Sequence, residues 1–326
     1  MWAKQSVPCS RRAKSFSDRV KIHHEIEEPA TDRPLVLALG FFDGFHRGHR
    51  EIVRTLLRHR RPGARAAVLT FRNHPSTHLR PERVPPLIST VDERVNALAA
   101  AGIDELFLVP FDDRIARVDA RAFCLNTLHG VLRARTVVVG ENFRFGAGRA
   151  GDATLARETL ATVDAGVIAV APVADDDDRV SSTRIRAAIL RGDMATADRL
   201  LGGAYELRGC ITLGAGRGHD LGFPTANLTV ASGKTIPADG VYAIVGRHDG
   251  RDYRGLVSIG TNPTFAGTAR TIEAWLLDFK RTVYGEELVL RDFRFVREQR
   301  TFASVDALLV QMNDDATHAP FPSFRP

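Results

Sequence analysis

The chain of 326 residues has only three cysteines, Cys9, Cys124 and Cys210. They lie far apart and show neither CxxC nor metal-ligand spacing, so neither a disulfide framework nor a zinc site is indicated. No apolar run approaches the roughly 20 residues that span a bilayer. The N-terminus lacks the apolar segment of a secretory signal. These absences predict a soluble, cytoplasmic protein with no membrane partner.

A long basic run is also lacking. The 45 lysines and arginines are interspersed with 39 aspartates and glutamates, giving a formal net charge of +6. Aromatic residues do not alternate with basic ones in an RNA-binding pattern, so we predict no nucleic-acid partner. The modest positive charge suits small anionic ligands. Nothing in the sequence indicates an oligomeric state.

The length and the 44% hydrophobic content are sufficient for two globular domains. Residues 1–33 differ from the rest because they are polar, mixed in charge and without periodicity. This pattern predicts a disordered leader. A targeting role is the alternative, since the first part of the leader is basic and contains serine.

From Leu35 to Gly202, short apolar strands alternate with helical segments. Four of the five strands are nearly continuous apolar runs, as in parallel strands that are covered on both faces. The alternation predicts a Rossmann-like, doubly wound α/β domain over residues 34–202, with ligands beyond the carboxyl ends of the strands. The predicted strands are 35–39, 66–71, 105–109, 136–139 and 167–173, and the predicted helices include 91–101, with a Thr90 and Glu93 capping box, and 152–164.

After Gly202 the pattern changes to short strands and turns, with Asp249-Gly250 as a hairpin turn and a closing helix from Ser304. This change predicts a small antiparallel barrel over residues 203–326 and a domain boundary near residue 202. The predicted strands are 205–213, 240–245, 253–259, 271–279 and 287–295.

The segment Gly40-Phe-Phe-Asp-Gly-Phe-His-Arg-Gly-His49 follows the first predicted strand and leads into a helix. Its glycines allow the backbone to approach a ligand, and the N-terminus of the helix points unpaired N-H groups at phosphate. His46 and His49 donate hydrogen bonds to phosphate and, if protonated, add positive charge to a phosphoryl transition state. A plain strand-to-helix turn is the alternative.

Two more loops follow strands at the same predicted edge, Gly140–Gly146 and Ser181–Arg186. In the second loop, Ser182 and Thr183 are placed to cap a helix while facing phosphate, and Arg186 lies on the next turn. Simple capping explains that loop when it is taken alone. The occurrence of three donor-rich loops at one edge favours a phosphate site.

The barrel region has a second glycine-rich segment, 214–218, followed by Leu221-Gly-Phe-Pro-Thr-Ala-Asn227. Thr225 and Asn227 offer neutral oxygens on the same side of an extended segment, which suits Mg²⁺ and phosphate. A glycine-rich hairpin with both side chains in solvent is the alternative.

Glu273 is a lone acid in the otherwise apolar run 272–277. Strand alternation favours an outward-facing carboxylate that has no chemical role. The alternative is a base that is retained for catalysis.

Six motifs occur together and in order, and through them the chain resembles the bifunctional bacterial riboflavin kinase/FMN adenylyltransferases, also called FAD synthetases, from about Pro34 to Asp315. The resemblance implies an N-terminal nucleotidyltransferase domain that adenylates FMN to FAD. It also implies a C-terminal, six-stranded flavokinase barrel that makes FMN from riboflavin with ATP and Mg²⁺. The motifs are 40–49, 140–146, 181–186, 221–227, 237–242 and 259–265.

The resemblance also implies residue roles. His46 and His49 would bind the ATP phosphates and stabilise the adenylyl-transfer transition state, and Glu273 would take the proton from the riboflavin 5′-hydroxyl. The resemblance thus implies that Glu273 is a base, whereas strand alternation favours an outward-facing carboxylate that has no chemical role. The rest of the adenylyltransferase site would be Gly40, Phe42, Asp43, Gly48, His74, Asn142, Ser182, Thr183 and Arg186. The kinase site for ATP and flavin would comprise Gly214, Gly216, Arg217, Gly218, Thr225, Asn227, Asn262 and Thr264, with Thr225 and Asn227 holding Mg²⁺.

One position departs from the family pattern. Members of the family usually have an acidic residue and a proline before the His-Pro pair that follows the second strand, whereas this chain has Phe71-Arg-Asn-His-Pro75. Arg72 reverses a charge near the adenylyltransferase cleft. The alternative function is therefore a riboflavin kinase with weak or lost adenylyltransferase activity.

Overall fold

The computed structural model describes residues 20–28, 31–213, 225–261, 270–279, 281 and 283–323. The chain divides into two compact units, Ser15–Ser182 and Thr183–Pro326. The first unit is built on a parallel sheet, and the second contains a closed barrel.

The sheet of the first unit has the strand order β1-β4-β3-β2-β5-β6, and every neighbouring pair is parallel. Strands β2 and β4 have the predicted bounds, and all their residues are buried, as continuous apolar runs require. The strands are β1 Lys21–His23, β2 Leu35–Leu39, β3 Arg65–Phe71, β4 Glu105–Val109, β5 Ala134–Gly140 and β6 Gly166–Val170.

Two clusters of buried side chains cover the two faces of this sheet. Leu37 packs into one cluster and its neighbours Val36 and Ala38 into the other, because successive strand residues point to opposite faces. The helices are α1 Arg47–Arg58, α2 Ser76–Leu79, α3 Val91–Ala100, α4 Asp113–Ala116, α5 Ala120–Ala122 and α6 Ala153–Ala161, with a π-helical segment Phe123–Val131 and 3₁₀ turns at Pro81–Arg83 and Ala147–Arg149. A short antiparallel pair, β7 Ala174–Asp175 and β8 Asp178–Arg179, follows β6. The predicted doubly wound fold is confirmed.

The capping box of α3 is confirmed. The Thr90 hydroxyl accepts a hydrogen bond from the Glu93 N-H at 3.2 Å, and the Glu93 carboxylate accepts one from the Thr90 N-H at 2.8 Å. Both bonds satisfy N-H groups that the first turn of a helix leaves unpaired.

Strand β2 lies at the point where the strand order reverses. The chain runs from β2 through β3 to β4 on one side and then crosses to β5 and β6 on the other. A ligand crevice forms at such a switch point, outside the carboxyl ends of the strands. The loops after β2 and β5, which begin at residues 40 and 141, flank this crevice.

The prediction of a disordered leader is wrong for the segment around β1. Lys21–His23 pairs in parallel with Glu105–Phe107 at the sheet edge. His23 is buried, stacks on Phe107 at 4.5 Å, and lies 3.0 Å from the Glu105 carboxylate through Nε2. A strand of three residues is too short for a periodic pattern, and its partners lie about 80 residues away.

The second unit begins with helices α7 and α8 and continues into an antiparallel barrel with the strand order β10-β13-β12-β11-β14-β9. The prediction of a six-stranded barrel is confirmed, although β10 was expected only as an extended segment. The elements are α7 Ser182–Leu190, α8 Met194–Leu201, β9 Leu207–Thr212, β10 Ala226–Val230, β11 Gly240–His248, β12 Arg251–Thr261, β13 Arg270–Leu276, β14 Glu287–Arg297 and α9 Val305–His318.

The predicted turn and closing helix of this unit are confirmed. Asp249 and Gly250 have φ values of 47° and 77°, and two positive values are what a type I′ hairpin turn requires. The Ser304 hydroxyl caps α9 by accepting from the Ala307 N-H at 3.2 Å. Helix α9 has 14 residues, and no helix in the described ranges is long and apolar enough to cross a membrane.

Candidate functional sites

The loop after β2 has an unusual backbone. Phe42, Gly44 and Phe45 have φ values of 57°, 80° and 40°, and two of these residues carry a Cβ. Such a conformation costs on the order of 1–3 kcal/mol for each non-glycine residue. The Phe42 and Phe45 rings are buried, and their packing holds the loop in place. Strain that is maintained in this way is typical of functional sites.

The glycines of this loop are required by packing within the protein. A Cβ on Gly40 would lie 2.9 Å from the Phe42 ring, and one on Gly44 would lie 2.9 Å from the Ile88 side chain. Gly48 is less restricted, because its nearest neighbour would be the His46 ring at 3.2 Å. Packing within the protein is thus sufficient to require glycine at positions 40 and 44, and close approach to a ligand stays a prediction.

Asp43 joins three segments of the first unit. Its buried carboxylate accepts hydrogen bonds from the N-H groups of Ile88 at 3.2 Å and Ser89 at 3.0 Å. Its carbonyl accepts one from the Ser182 hydroxyl at 2.9 Å. Ser182 is the first residue of α7. Capping of α7 by this hydroxyl stays a prediction, since a hydroxyl that donates one hydrogen bond can also accept one.

His46 and His49 lie side by side at the N-terminus of α1. His46 is the N-cap residue, and its Nδ1 accepts from the His49 N-H at 3.3 Å. The two rings stack with centroids 3.6 Å apart and planes 16° apart. Because His46 Nδ1 is an acceptor, the proton of the neutral ring is on Nε2. The buried Nδ1 of His49 has no hydrogen-bond partner among the described residues.

Burial keeps both imidazoles neutral. It lowers the pKa of His46 to about 4, with Asp43 opposing this shift. Burial lowers the pKa of His49 well below its usual value, and the neighbouring His46 and Arg94 lower it further. The protonation that would add positive charge to a phosphoryl transition state therefore does not occur near neutral pH in this structure. The rings are neutral N-H donors, and the partial positive charge at this point comes from the helix N-terminus.

The remaining predicted adenylyltransferase residues have different surroundings. The His74 and Phe41 rings are nearly perpendicular, with centroids 4.8 Å apart, and Asn142 is exposed in the turn after β5. Thr183 and Arg186 lie on the first two turns of α7, in the second compact unit. The structure thus brings together residues 40–49 and Ser182, with His74 beside Phe41. The participation of Thr183 and Arg186 stays a prediction.

Arg72 is exposed, and its guanidinium Nη2 lies 3.0 Å from His24 Nδ1. His24 directly follows β1, the edge strand, on the far side of β3 from β2. The reversed charge is therefore directed towards the leader segment and away from the crevice between β2 and β5.

In the barrel, four polar residues form one row across neighbouring strands. Asn227 on β10 lies directly opposite Glu273 on β13, and Glu273 lies opposite Ser258 on β12. On the other side, Asn227 lies opposite Thr212 on β9. Directly opposed residues project to the same face of a sheet, so Thr212, Asn227, Glu273 and Ser258 form a continuous polar row.

The polar row lies on the outer wall of the barrel. Ile272 and Ala274, the neighbours of Glu273 along β13, are buried, whereas Glu273 is partly exposed. The expectation of an outward-facing Glu273 is therefore confirmed. The Thr271 hydroxyl donates to Glu273 Oε1 at 3.2 Å, and no arginine or lysine in the described part of the chain forms an ion pair with this carboxylate.

Three residues of this region were missed from the sequence. Ser258 and Thr212 belong to the polar row, and the Gln299 amide donates to the Ser258 hydroxyl at 3.0 Å. Only strand register brings Ser258 and Thr212 into the row. Thr225 directly precedes β10 and is two positions from Asn227. The predicted residues Gly214, Gly216, Arg217, Gly218, Asn262 and Thr264 lie outside the described residues.

Comparison with known proteins gives a family for each half of the chain. The family model for FAD synthetase matches residues 28–184, and the model for riboflavin kinase matches residues 201–320. The bifunctional riboflavin kinase/FMN adenylyltransferase of Listeria monocytogenes is 35% identical, over 91% of this chain and 95% of that protein. The enzyme of the same name from Bacillus subtilis is 32% identical over 91% of this chain and 94% of its own length.

The chain belongs to the bifunctional riboflavin kinase/FMN adenylyltransferase family. As a member with both domains, it phosphorylates riboflavin to FMN and adenylates FMN to FAD, with ATP as the co-substrate of each step. The family predicted from the six motifs is confirmed.

A solved structure gives the same architecture. A protein from Streptococcus pneumoniae, whose crystal structure is titled as a macrolide-efflux protein, has a TM-score of 0.81 and 32% sequence identity. The match covers 91% of this riboflavin kinase/FMN adenylyltransferase and 98% of the solved chain. The likeness therefore extends over both halves of the molecule.

Proposed function

We propose that residues 34–202 carry out FMN adenylylation and residues 203–326 carry out riboflavin phosphorylation, in the cytoplasm. The family models support this division because they end and begin at residues 184 and 201. Helices α7 and α8 lie largely between those two matches. The proposed boundary follows α8, where the riboflavin kinase match begins, although the chain from Thr183 onwards clusters with the barrel.

In the adenylyltransferase, a phosphate oxygen of FMN attacks the α-phosphorus of ATP, and the bond to the leaving pyrophosphate breaks. The neutral His46 and His49 rings donate N-H groups to the phosphate oxygens, where negative charge develops. The stacking of these two rings at the N-terminus of α1, beside the switch point, is the observation that carries this proposal. Positioning and electrostatic stabilisation are sufficient for in-line transfer, and no covalent enzyme intermediate is required.

The other adenylyltransferase residues divide into two groups. Gly40, Phe42 and Asp43 hold the loop through the packing and hydrogen bonds described above, and Gly48 permits the first turn of α1 beside His46. We infer that the second group completes the binding of ATP and FMN. This group consists of His74, Asn142, Ser182, Thr183 and Arg186.

In the kinase, Glu273 takes the proton from the riboflavin 5′-hydroxyl as that oxygen attacks the γ-phosphorus of ATP, and ADP leaves. Among the residues that the structure describes, no lysine or arginine pairs with the Glu273 carboxylate, and this supports its role as a base. Its position opposite Asn227, the predicted phosphate ligand, also supports this role.

Thr225 and Asn227 fit a magnesium site because hydroxyl and amide oxygens are hard donors of the kind that Mg²⁺ accepts. When bound there with the ATP phosphates, Mg²⁺ neutralises part of their negative charge. Asn227 and Thr225 would also orient the phosphate chain towards Glu273. Glycines 214, 216 and 218, Arg217, Asn262 and Thr264 remain predicted contacts to ATP and flavin.

Incubation of the protein with riboflavin, ATP and MgCl₂, followed by separation of the flavins, tests the proposal. We expect FMN to appear first and FAD to follow. Accumulation of FMN without FAD would favour the alternative, a kinase with weak or lost adenylyltransferase activity through Arg72. The contact of Arg72 with His24, away from the crevice, favours the bifunctional assignment. If no FMN forms, the kinase assignment is wrong.

A further inference from the structure

Arg94 is a buried cation that the proposed reactions do not use. It lies on α3, and its side chain is among the largest fully buried ones, with 1% exposure. No carboxylate in the described part of the chain forms an ion pair with it. A buried charge without a paired acid is costly, so its presence calls for a physical explanation.

The guanidinium connects two loops of the adenylyltransferase. Nη1 donates to the Phe41 carbonyl at 2.9 Å, and Nη2 donates to the Arg72 carbonyl at 3.2 Å. The same group lies over the Phe41 ring, 4.3 Å from its centroid. Phe41 belongs to the loop after β2, and Arg72 belongs to the loop after β3. One planar group therefore fixes the spacing of the loops that carry His46, His49 and His74.

The charge of this group acts on the site as well. Burial lowers the pKa of Arg94 to about 10, which leaves it protonated near neutral pH. It is one of the groups that depress the pKa of His49, after burial and His46. The acid that acts on Arg94 is Asp43, whose carboxylate is bonded to the backbone of Ile88 and Ser89. These interactions involve the titratable groups of His46, His49, Asp43 and Arg94, and His74 packs against the same Phe41 ring as Arg94.

We propose that Arg94 is a positioning residue for adenylyl transfer, which clamps the loops after β2 and β3 and keeps a fixed positive charge beside His49. This inference rests on the proposed function of the loop that contains His46 and His49. Arg94 lies outside that motif and holds His46 and His49 in a fixed position relative to His74.

Two variants of the full-length protein separate the charge from the hydrogen bonds. Arg94→Gln keeps N-H donors and removes the charge, and Arg94→Lys keeps the charge and removes the planar fork. With FMN, ATP and MgCl₂ as substrates, we expect Arg94→Gln to lower kcat for FAD formation about 100-fold, with little change in KM. Arg94→Lys should lie between Arg94→Gln and the wild type.

Two controls accompany these variants. Arg54→Gln removes a charge from an arginine with 67% side-chain exposure on α1 and should keep wild-type adenylylation. Riboflavin phosphorylation, measured in the same preparations, should be unchanged in all three variants because it uses the barrel.

The titration of His49 distinguishes the proposed role from a purely structural one. Histidine ring NMR signals can be followed against pH, with a His49→Gln variant to assign the resonance. Loss of the cation removes repulsion of the imidazolium, so the pKa of His49 should rise in Arg94→Gln and stay near the wild-type position in Arg94→Lys.

Wild-type adenylylation in Arg94→Gln would overturn the proposal. It would also be overturned if Arg94→Gln and Arg94→Lys lost kcat equally and the pKa of His49 were the same in both variants. If Arg94→Gln does not fold, Arg94→Lys decides, since a reduced kcat at unchanged KM supports the clamp and a wild-type kcat contradicts it. A wild-type protein that makes FMN but no FAD would instead refute the proposed adenylyltransferase function, and this inference with it.

Discussion

The two candidate sites are assembled in different ways. In the α/β unit, the functional side chains lie beyond the ends of parallel strands. Residues 40–49, a loop and the first turn of α1, supply both histidines. In the barrel, the polar row comes from four strands and depends on their register. A site built on one loop can be recognised as a motif, whereas a site built on register becomes visible only in the folded chain.

The two sites also differ in burial. His46 is 6% exposed and takes part in packing and helix capping, whereas Glu273 is partly exposed on the outer wall of the barrel. Substitutions in the loop should therefore reduce both stability and adenylylation. Substitutions in the polar row should reduce phosphorylation with little effect on stability.

The largest effect is expected for Glu273→Gln, which removes the proposed base. Riboflavin phosphorylation should fall about 10²- to 10⁴-fold, the usual contribution of general-base catalysis. Conversion of supplied FMN to FAD and the melting temperature should not change. Glu287→Gln, on β14, is the matched control and should retain both activities. Equal loss of both activities in Glu273→Gln would show that the sites do not work separately.

His46→Ala should have the opposite selectivity. Removing a transition-state donor should lower FAD formation from FMN by about 10²- to 10³-fold. Loss of the α1 N-cap should also reduce the free energy of unfolding by about 1 kcal/mol. His59→Ala, at the other end of the same helix, is the control, and chemical denaturation with separate flavin assays provides the measurements. Unchanged FAD synthesis would refute the assigned role.

Gly44→Ala tests whether packing fixes the strained loop. Gly44 and Gly63 both have a φ of 80°, but a Cβ at Gly63 would meet nothing within 4 Å, whereas one at Gly44 would meet Ile88 at 2.9 Å. Gly63→Ala therefore measures the backbone cost alone. We expect Gly44→Ala to lose about 1–3 kcal/mol more of the free energy of unfolding than Gly63→Ala, and to lose adenylylation as well. Similar losses in the two variants would contradict the packing explanation.

Arg72→Glu should have the smallest effect, because the exposed side chain contacts His24 and points away from the crevice. A surface change of this kind alters free energies by about 0.5 kcal/mol, so kcat/KM for FAD formation should change only about twofold. A large increase would show that Arg72 weakens adenylylation, as the alternative function requires.

Continuous apolar runs and motif order were sufficient to predict much of the molecule. Strands β2 and β4, the α3 capping box and the 249–250 turn follow from neighbouring residues alone. The failures involve partners that are distant in sequence. The Ser182 hydroxyl bonds to a carbonyl 139 residues away, and His23 of β1 lies beside Glu105 of β4, 82 residues further along the chain.

The protonation of the histidines could not be predicted for a related reason. The sequence shows two imidazoles near a helix N-terminus, but their neutrality arises from burial by the folded loop, which lowers the pKa of His46 to about 4. The alternation of β13 placed Glu273 on the outside correctly. It could not show that Asn227 and Ser258 lie beside it there.

Mixing the two selective variants tests the central claim most directly, namely that one chain carries two sites that act separately. His46→Ala with riboflavin, ATP and MgCl₂ should accumulate FMN with little FAD, and Glu273→Gln should convert little riboflavin to either product. Combined in one reaction, they should form FAD, because the FMN released by the first variant is a substrate for the second. A mixture that accumulates FMN and forms no FAD, although Glu273→Gln converts supplied FMN, would contradict the account.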